Sequence, residues 1–260
     1  MFDAGLQQQW QQTDSGWVSE LPTGWGQGRA VFGGLTAAYA VALAQRQVAD
    51  QWQVRTMNVH LMRPAVAGAL DGVARVVRQG KSATFVQVNL LQEGEDIASL
   101  TFVFARPRPG ALEVQAPPVW QGPDPETLQE LPYIPGVTPE FVQHVSMRWV
   151  TGGYPFSGSP EARFDGYCRF KVPAAGMEAL IAMLDFWPCP SLSLMTQPAP
   201  ASTVAWTAHV LAVPKSFDGW FSFSYETVAG AEGFHTVAGR LYDPEGRLVG
   251  WTEQLAAVFG

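Results

Sequence analysis

The sequence is short of charge and of cysteine. Only 15% of its 260 residues are charged, which argues against a disordered tail or a charged interaction arm. Acidic residues outnumber basic ones, 23 to 16, and the net charge of −7 disfavours sequence-independent binding of nucleic acid. The two cysteines, Cys168 and Cys189, match no zinc or redox spacing and do not indicate a disulfide framework.

Long apolar runs are missing as well. The longest, residues 35–44, ends at Gln45, well short of the roughly 20 residues that a membrane-spanning helix needs. Residues 1–10 lack the basic region and apolar run of a signal peptide. Because 47% of the chain is nevertheless hydrophobic, we expect a cytoplasmic globular protein with one large core or two smaller ones, and no membrane span.

Several common catalytic and cofactor motifs are absent. The sequence has no G-x-S-x-G elbow and no G-x-x-x-x-G-K-[ST] loop, which disfavours a serine hydrolase of the α/β type and a P-loop enzyme. Arg29 stands where a dinucleotide fingerprint beginning at Gly24 needs a glycine. The four histidines stand singly: His60, His144, His209 and His235. We therefore predict neither a metal site nor a cofactor.

Proline is concentrated in the middle of the chain. Nine of the 20 prolines lie within residues 106–139. Proline fixes φ and removes a backbone donor, so this segment cannot form a continuous helix or a central strand. We predict an N-terminal unit at residues 1–106, a proline-rich linker at 107–140 and a C-terminal unit at 141–260.

Hydrophobic periodicity predicts the same order of elements on both sides of the linker: a strand, one helix and four strands. In the first unit these are a strand at 17–21, a helix at 35–50, and strands at 54–62, 70–77, 84–91 and 97–105. In the second unit they are a strand at 164–170, a helix at 177–184, and strands at 203–211, 220–227, 234–242 and 248–258. An alanine-rich helix without a polar face must be buried, so we predict an α+β fold in which each antiparallel sheet wraps around a central helix.

Six short motifs follow this framework. In the first unit they are Val31-Phe32-Gly33-Gly34 before the helix, His60-Leu61-Met62-Arg63-Pro64, and Val77-Arg78-Gln79-Gly80-Lys81-Ser82. In the second unit they are Leu184-Asp185-Phe186, Ser202-Thr203-Val204 and Thr252-Glu253-Gln254. Their order resembles that of the acyl-CoA thioesterase II family, which has a double hotdog fold. The resemblance implies an acyl-CoA thioesterase with Asp185, Thr203 and Gln254 as catalytic residues.

The chemical types of these three residues suit hydrolysis of a thioester. A carboxylate can accept a proton from water, while a hydroxyl and a carboxamide hold that water in line, without a covalent intermediate. Asp185 is expected in the last turn of the second helix, where the macrodipole disfavours a carboxylate and apolar neighbours raise its pKa.

The remaining motif residues suit the binding of acyl-CoA. Backbone N–H groups at Phe32, Gly33 and Gly34 can stabilise the oxyanion at the start of the first helix. His60 belongs to the second-strand motif of the family. Cations are needed for the CoA phosphates, and the candidates are Arg63, Arg78 and Lys81. Fused units of this kind commonly pair further, so we expect a homo-oligomer.

Two other functions compete with this interpretation. The family's residues at three positions are replaced by Leu35, Ala205 and Trp206, which favours a non-catalytic acyl- or lipid-binding protein. An enoyl-CoA hydratase-like enzyme on the same fold would carry an Asp-x-x-x-x-His pair, and no aspartate here is followed by histidine at that spacing. We therefore rank the hydratase below the other two.

Overall fold

The computed structural model describes residues 6–260; residues 1–5, which belong to the segment considered above as a leader, lie outside this range. The first half of the chain contains α1 (Leu6–Gln9), β1 (Gln11–Thr13), β2 (Gly16–Leu21), β3 (Gly26–Gln27), β4 (Ala30–Val31), α2 (Gly33–Gln45), β5 (Gln53–Leu61), β6 (Gly68–Gln79), β7 (Ala83–Gln92) and β8 (Glu95–Ala105). The second half contains β9 (Val145–Thr151), β10 (Arg163–Phe170), α3 (Gly176–Met183), β11 (Ala201–Val210), β12 (Phe221–Ala231), β13 (Phe234–Tyr242) and β14 (Leu248–Val258).

Twelve of the strands form one antiparallel sheet in the order β1-β2-β6-β7-β8-β5-β11-β14-β13-β12-β10-β9, and β3 pairs with β4 in a separate hairpin. The two halves meet where β5 pairs with β11, and Asn58 and Thr207 face each other at the centre of this seam. The helices α2 and α3 pack against each other on the inner face of the sheet. The predicted sheet-wrapped helices are therefore present in both halves.

The sequence of α2 explains its central position. Every residue from Gly34 to Ala44 is buried, and the small alanine side chains let the sheet come close on several sides. Phe32 caps the helix by accepting hydrogen bonds from the N–H groups of Leu35 and Thr36. The helix ends at Gln45 rather than near residue 50, because the polar residues that follow leave the core. None of the helices within residues 6–260 is long and apolar enough to cross a membrane.

The two halves also agree in strand register. One residue bulges out of β5 between Val54 and Thr56, and one bulges out of β11 between Thr203 and Ala205. Comparable irregularities interrupt the β6–β7 and β12–β13 pairs. A β-bulge re-aims the side chains beside it, so the repeated bulges make positions in the two halves directly comparable.

The chain between β8 and β9 packs on the second half over its last part. The Leu131 N–H donates to the Met147 carbonyl at 2.8 Å, and the Trp220 indole donates to Glu126 at 2.9 Å. Strand β9, which follows a short 3-10 helix at Glu140–His144, was not predicted. The borders at 106 and 140 stay a prediction.

Candidate active site

A chain of hydrogen bonds joins the three predicted catalytic residues. The Thr203 hydroxyl donates to Gln254 Oε1 at 2.6 Å, and Gln254 Nε2 donates to Asp185 Oδ1 at 2.8 Å. Three side chains separated in sequence by up to 69 residues therefore converge at one place. We call Asp185, Thr203 and Gln254 the trio.

The sheet supplies two members of the trio. Gln254 lies on β14 opposite Trp206 of β11, and Thr203 precedes the β11 bulge, opposite Ala256. Gln254 is buried, with 5% of its surface exposed, whereas Thr203 keeps part of its surface accessible. Trp206 is buried and its indole donates to the Thr252 hydroxyl at 2.7 Å, so this residue belongs to the packed interior.

Asp185 comes from the end of α3 and meets the beginning of α2. It lies one residue beyond the C-cap Leu184, not in the last turn of the helix as predicted. A hydrogen bond from the Gly34 N–H reaches its carboxylate, so the positive end of the α2 dipole opposes the unfavourable end of α3. Gly33 allows this approach, because a Cβ there would lie 2.9 Å from Asp185 Oδ2.

The environment of Asp185 changes its acidity. Burial raises the pKa of its carboxyl group to about 7, although the hydrogen bonds from Gln254 and the Gly34 N–H lower it. Desolvation penalises the charged form more than these two bonds favour it. Part of the residue's surface nevertheless stays accessible. The predicted direction of the pKa shift is confirmed.

The other residues predicted at this end of the sheet have different surroundings. Phe32 is fully buried and stacks on Phe141 with ring centroids 4.2 Å apart. A Cβ at Gly33 would lie 3.5 Å from the Leu61 side chain, which places the end of β5 next to the trio. His60 is exposed, and because strand side chains alternate it points to the sheet face opposite Leu61.

The three predicted cations are not gathered around the trio. Arg63 follows the end of β5 and forms an ion pair with Glu95 at 2.8 Å. Arg78 is exposed on β6, which β7, β8 and β5 separate from β11. Lys81 is exposed in the turn between β6 and β7. Only Arg63 lies at the end of the seam where the trio is found.

The sequence did not reveal a second polar group on the inner face of the second half. His235 Nδ1 lies 2.6 Å from the Ser191 hydroxyl, which lies 2.8 Å from the Thr227 hydroxyl. These residues belong to no local motif, and the only available signal was the alternation of β13, which puts His235 on the same face as the buried Val237. Within residues 6–260, no three His, Cys, Asp or Glu side chains are grouped to hold a metal ion.

Comparison with known proteins adds a family and a fold. A family model described as the acyl-CoA thioesterase N-terminal domain matches residues 21–105, and one described as the acyl-CoA thioesterase C-terminal domain matches residues 125–258. No curated protein matches the chain in sequence.

Solved structures cover nearly the whole chain. A hot-dog-fold protein of unknown function from Alicyclobacillus acidocaldarius has a TM-score of 0.85 at 21% identity, covering 96% of this chain and 95% of its own. The tesB protein of Mycobacterium avium subsp. paratuberculosis has a TM-score of 0.80 at 14% identity, covering 99% and 98%. The acyl-CoA thioesterase II TesB2 of Mycobacterium marinum has a TM-score of 0.77 at 17% identity, covering 98% of each chain. At these identities the likeness shows the fold, and the predicted double hotdog is confirmed.

Proposed function

Because this chain belongs to the acyl-CoA thioesterase family and is a thioester hydrolase, we propose that the trio holds and activates the water that attacks the thioester. The observation that carries the proposal is the hydrogen-bond chain from Thr203 through Gln254 to Asp185. It fixes a carboxylate, a carboxamide and a hydroxyl around one partly accessible point. These are the groups that general-base hydrolysis requires.

Asp185 is the base in this scheme. With a pKa of about 7, its carboxylate is present in substantial fraction near neutral pH and still basic enough to take a proton from water. The water oxygen forms a bond to the thioester carbonyl carbon as its proton moves to Asp185. When the tetrahedral intermediate collapses, the carbon–sulfur bond breaks, and the proton held by Asp185 goes to the CoA sulfur. The products are a carboxylic acid and free CoA.

The beginning of α2 stabilises the charge on the carbonyl oxygen. The Gly34 N–H already donates to Asp185 and the Phe32 N–H donates to the Trp25 carbonyl, so of the three predicted N–H groups we assign the oxyanion contact to that of Gly33. A helix N-terminus favours negative charge there. Phe32 would support this site indirectly, because its ring stacks on Phe141 and holds the turn before α2 in place.

We further propose the following parts of substrate binding and assembly. Arg63 contacts a CoA phosphate, because it is exposed at the end of the sheet that carries the trio. Arg78 and Lys81 lie farther along the sheet, and His60 lies on its opposite face, so these three would contribute through longer-range contacts or a partner copy. A cytoplasmic homo-oligomer fits this arrangement, and light scattering of the purified protein would measure its size.

The decisive experiment is release of free thiol from acyl-CoA by the Asp185→Asn variant. The base is lost, so we expect kcat/KM to fall at least about a hundredfold. Asp218→Asn, at an exposed aspartate, is the matched control and should keep full activity. Undiminished thiol release by Asp185→Asn would contradict the assignment. Tight binding of acyl-CoA by the unaltered protein without turnover would instead favour an acyl-binding role.

The pH dependence gives a second, independent test. Activity should rise with pH and reach half its plateau near pH 7, the pKa of Asp185, because only the carboxylate accepts a proton.

The stability of the folded protein should change with pH in the opposite direction. The folded-state pKa exceeds the unfolded value of about 4, so the folded state binds the extra proton between these values and loses stability as pH rises from about 4 to about 7. Asp185→Asn removes this loss, and its melting temperature at pH 8 should be no lower than that of the unaltered protein.

A further inference from the structure

A row of residues crosses the inner face of the second half beside the trio. Cross-strand pairing places Ala256 next to Thr203, His235 next to Ala256, and Gly230 next to His235. Neighbouring strands are about 4.8 Å apart, so the backbone of His235 lies about 10 Å from that of Thr203. The row therefore leads from the trio to an imidazole over the length of a short acyl chain.

The residue between Thr203 and His235 is small. The same register position in the first half is Phe104 on β8, which is fully buried. Alanine at position 256 lacks that ring, so less side-chain volume stands between the two polar side chains. Thr203 and His235 both keep accessible surface, whereas Ala256 has 3% of its surface exposed. An acyl group that passes from the trio towards His235 would have to lie over Ala256, in place of the groups that leave it only 3% exposed.

The imidazole of His235 is held in place. Its Nδ1 contacts the Ser191 hydroxyl at 2.6 Å, and this hydroxyl, on a residue only 2% exposed, also contacts Thr227. A Cβ on Gly230 would meet the ring, and the three closest ring atoms would be Nδ1, Cγ and Cε1. Because Nδ1 is engaged by Ser191, Nε2 is the ring nitrogen left to meet a ligand that reaches the imidazole.

We propose that His235 closes the acyl site and selects short acyl groups whose far end carries a hydroxyl or carbonyl group. This proposal rests on the proposed function, since the trio defines where the thioester lies. A plain alkyl end at this point would desolvate the imidazole without giving it a hydrogen bond. Sites built around such a polar group discriminate against analogues that lack the matching group. A longer chain would have to displace the held ring.

A structural role for the same contacts makes a different prediction. Ser191 lies in the 3-10 helix at Pro190–Leu194, which follows the Asp185 segment, and its contacts to β12 and β13 also hold this segment in place. If that were their only role, replacing His235 would lower activity on every substrate by the same factor. A specificity role changes the ratio between substrates.

The test compares kcat/KM for butyryl-CoA, its ω-hydroxy analogue and octanoyl-CoA. The unaltered protein should prefer the hydroxylated substrate to butyryl-CoA by about tenfold, the net effect of one hydrogen bond. His235→Leu should abolish or reverse this preference and raise the relative rate on octanoyl-CoA. Thr236→Ala, an exposed neighbour on the other face of β13, is the control and should keep the original ratios.

A second variant tests the position of the acyl site without altering His235. Ala256→Phe restores the first-half residue, and should suppress hydrolysis of all three substrates more strongly than that of acetyl-CoA. If the unaltered protein hydrolyses no acyl-CoA of any chain length, the proposed function is wrong; if it hydrolyses only longer acyl-CoAs, the proposed function stands and the short acyl site is refuted. If it hydrolyses all three substrates and His235→Leu lowers all rates equally, with the ratios unchanged, the proposed function stands and the role of His235 is refuted.

Discussion

The two halves of the molecule share one fold but differ at the positions that form the trio. Register places Val54 of β5 where β11 has Thr203, and Phe102 of β8 where β14 has Gln254. Gln47 follows α2 as Asp185 follows α3, and each donates its N–H to the carbonyl three residues earlier. The first half thus repeats the framework of the site without its chemistry.

This difference shows how a duplicated fold divides its tasks. Val54 and Phe102 have 1% and 0% of their surface exposed and contribute to the core, where burial of such side chains stabilises by about 1.5–3 kcal/mol each. The second half has polar side chains at the same positions, and burial raises the pKa of its Asp185 carboxyl group. At these matched positions the first half keeps core packing, and the second half carries the reactive groups.

The largest expected effect comes from importing the first-half residue into the trio. Gln254→Phe removes both hydrogen bonds that join Thr203 to Asp185, and we expect kcat/KM to fall by about two to three orders of magnitude. Gln254→Leu is closer to glutamine in volume and therefore controls for a packing defect. Its kcat/KM should fall as far as that of Gln254→Phe. Activity retained by a folded Gln254→Leu protein would show that the reaction does not depend on Gln254.

The reverse exchange should affect folding rather than chemistry. Phe102→Gln places an amide among buried apolar side chains, and the free energy of unfolding should drop by about 3–5 kcal/mol. Chemical denaturation measures this loss. A drop below about 1 kcal/mol would mean that the first half tolerates polar groups at this position, which its burial argues against.

A smaller effect is expected at the hydroxyl of the trio. Thr203→Val keeps the shape of the side chain and copies Val54, so only the hydrogen bond to Gln254 and the contact to water are lost. We expect kcat to fall about tenfold with stability nearly unchanged. Thr207→Val, on the seam, is the matched control, and an equal fall in both variants would count against a special role for Thr203.

The smallest effects concern the cations. Arg63→Ala should raise KM for acyl-CoA about threefold, more at low salt than at high salt, because an exposed charge is strongly screened. Arg78→Ala should change KM by less than about twofold. If Arg78→Ala raised KM more than Arg63→Ala, the CoA site would lie near β6 and not at the end of the seam.

Much of this architecture could be predicted from the sequence. The apolar α2 required a surrounding sheet, and the alternation of apolar and polar residues from Phe85 to Gln92 located β7. The edge strand β9 was not predicted, because nearly all of its residues are buried and buried and exposed residues do not alternate along it. The exact end of α3 also escaped, since the C-cap depends on contacts with α2 that no local pattern encodes.

The site was predicted less completely than the fold. The trio could be selected because motif order placed the three residues on suitable elements. Ser191, Thr227 and His235 could not, because their association depends on the path of residues 184–200 across two strands. The separation of Arg78 from the seam likewise follows from strand order, which the sequence left open.

The contact between the Gly34 N–H and Asp185 joins a helix of one half to the carboxylate of the other. Any movement at the joint between the halves alters the charge environment of the base, so catalytic competence reports on how well they are docked. By linkage the coupling is reciprocal. If docking of the two halves strengthens ligand binding at the carboxylate, a bound ligand stabilises the docked halves by the same free energy.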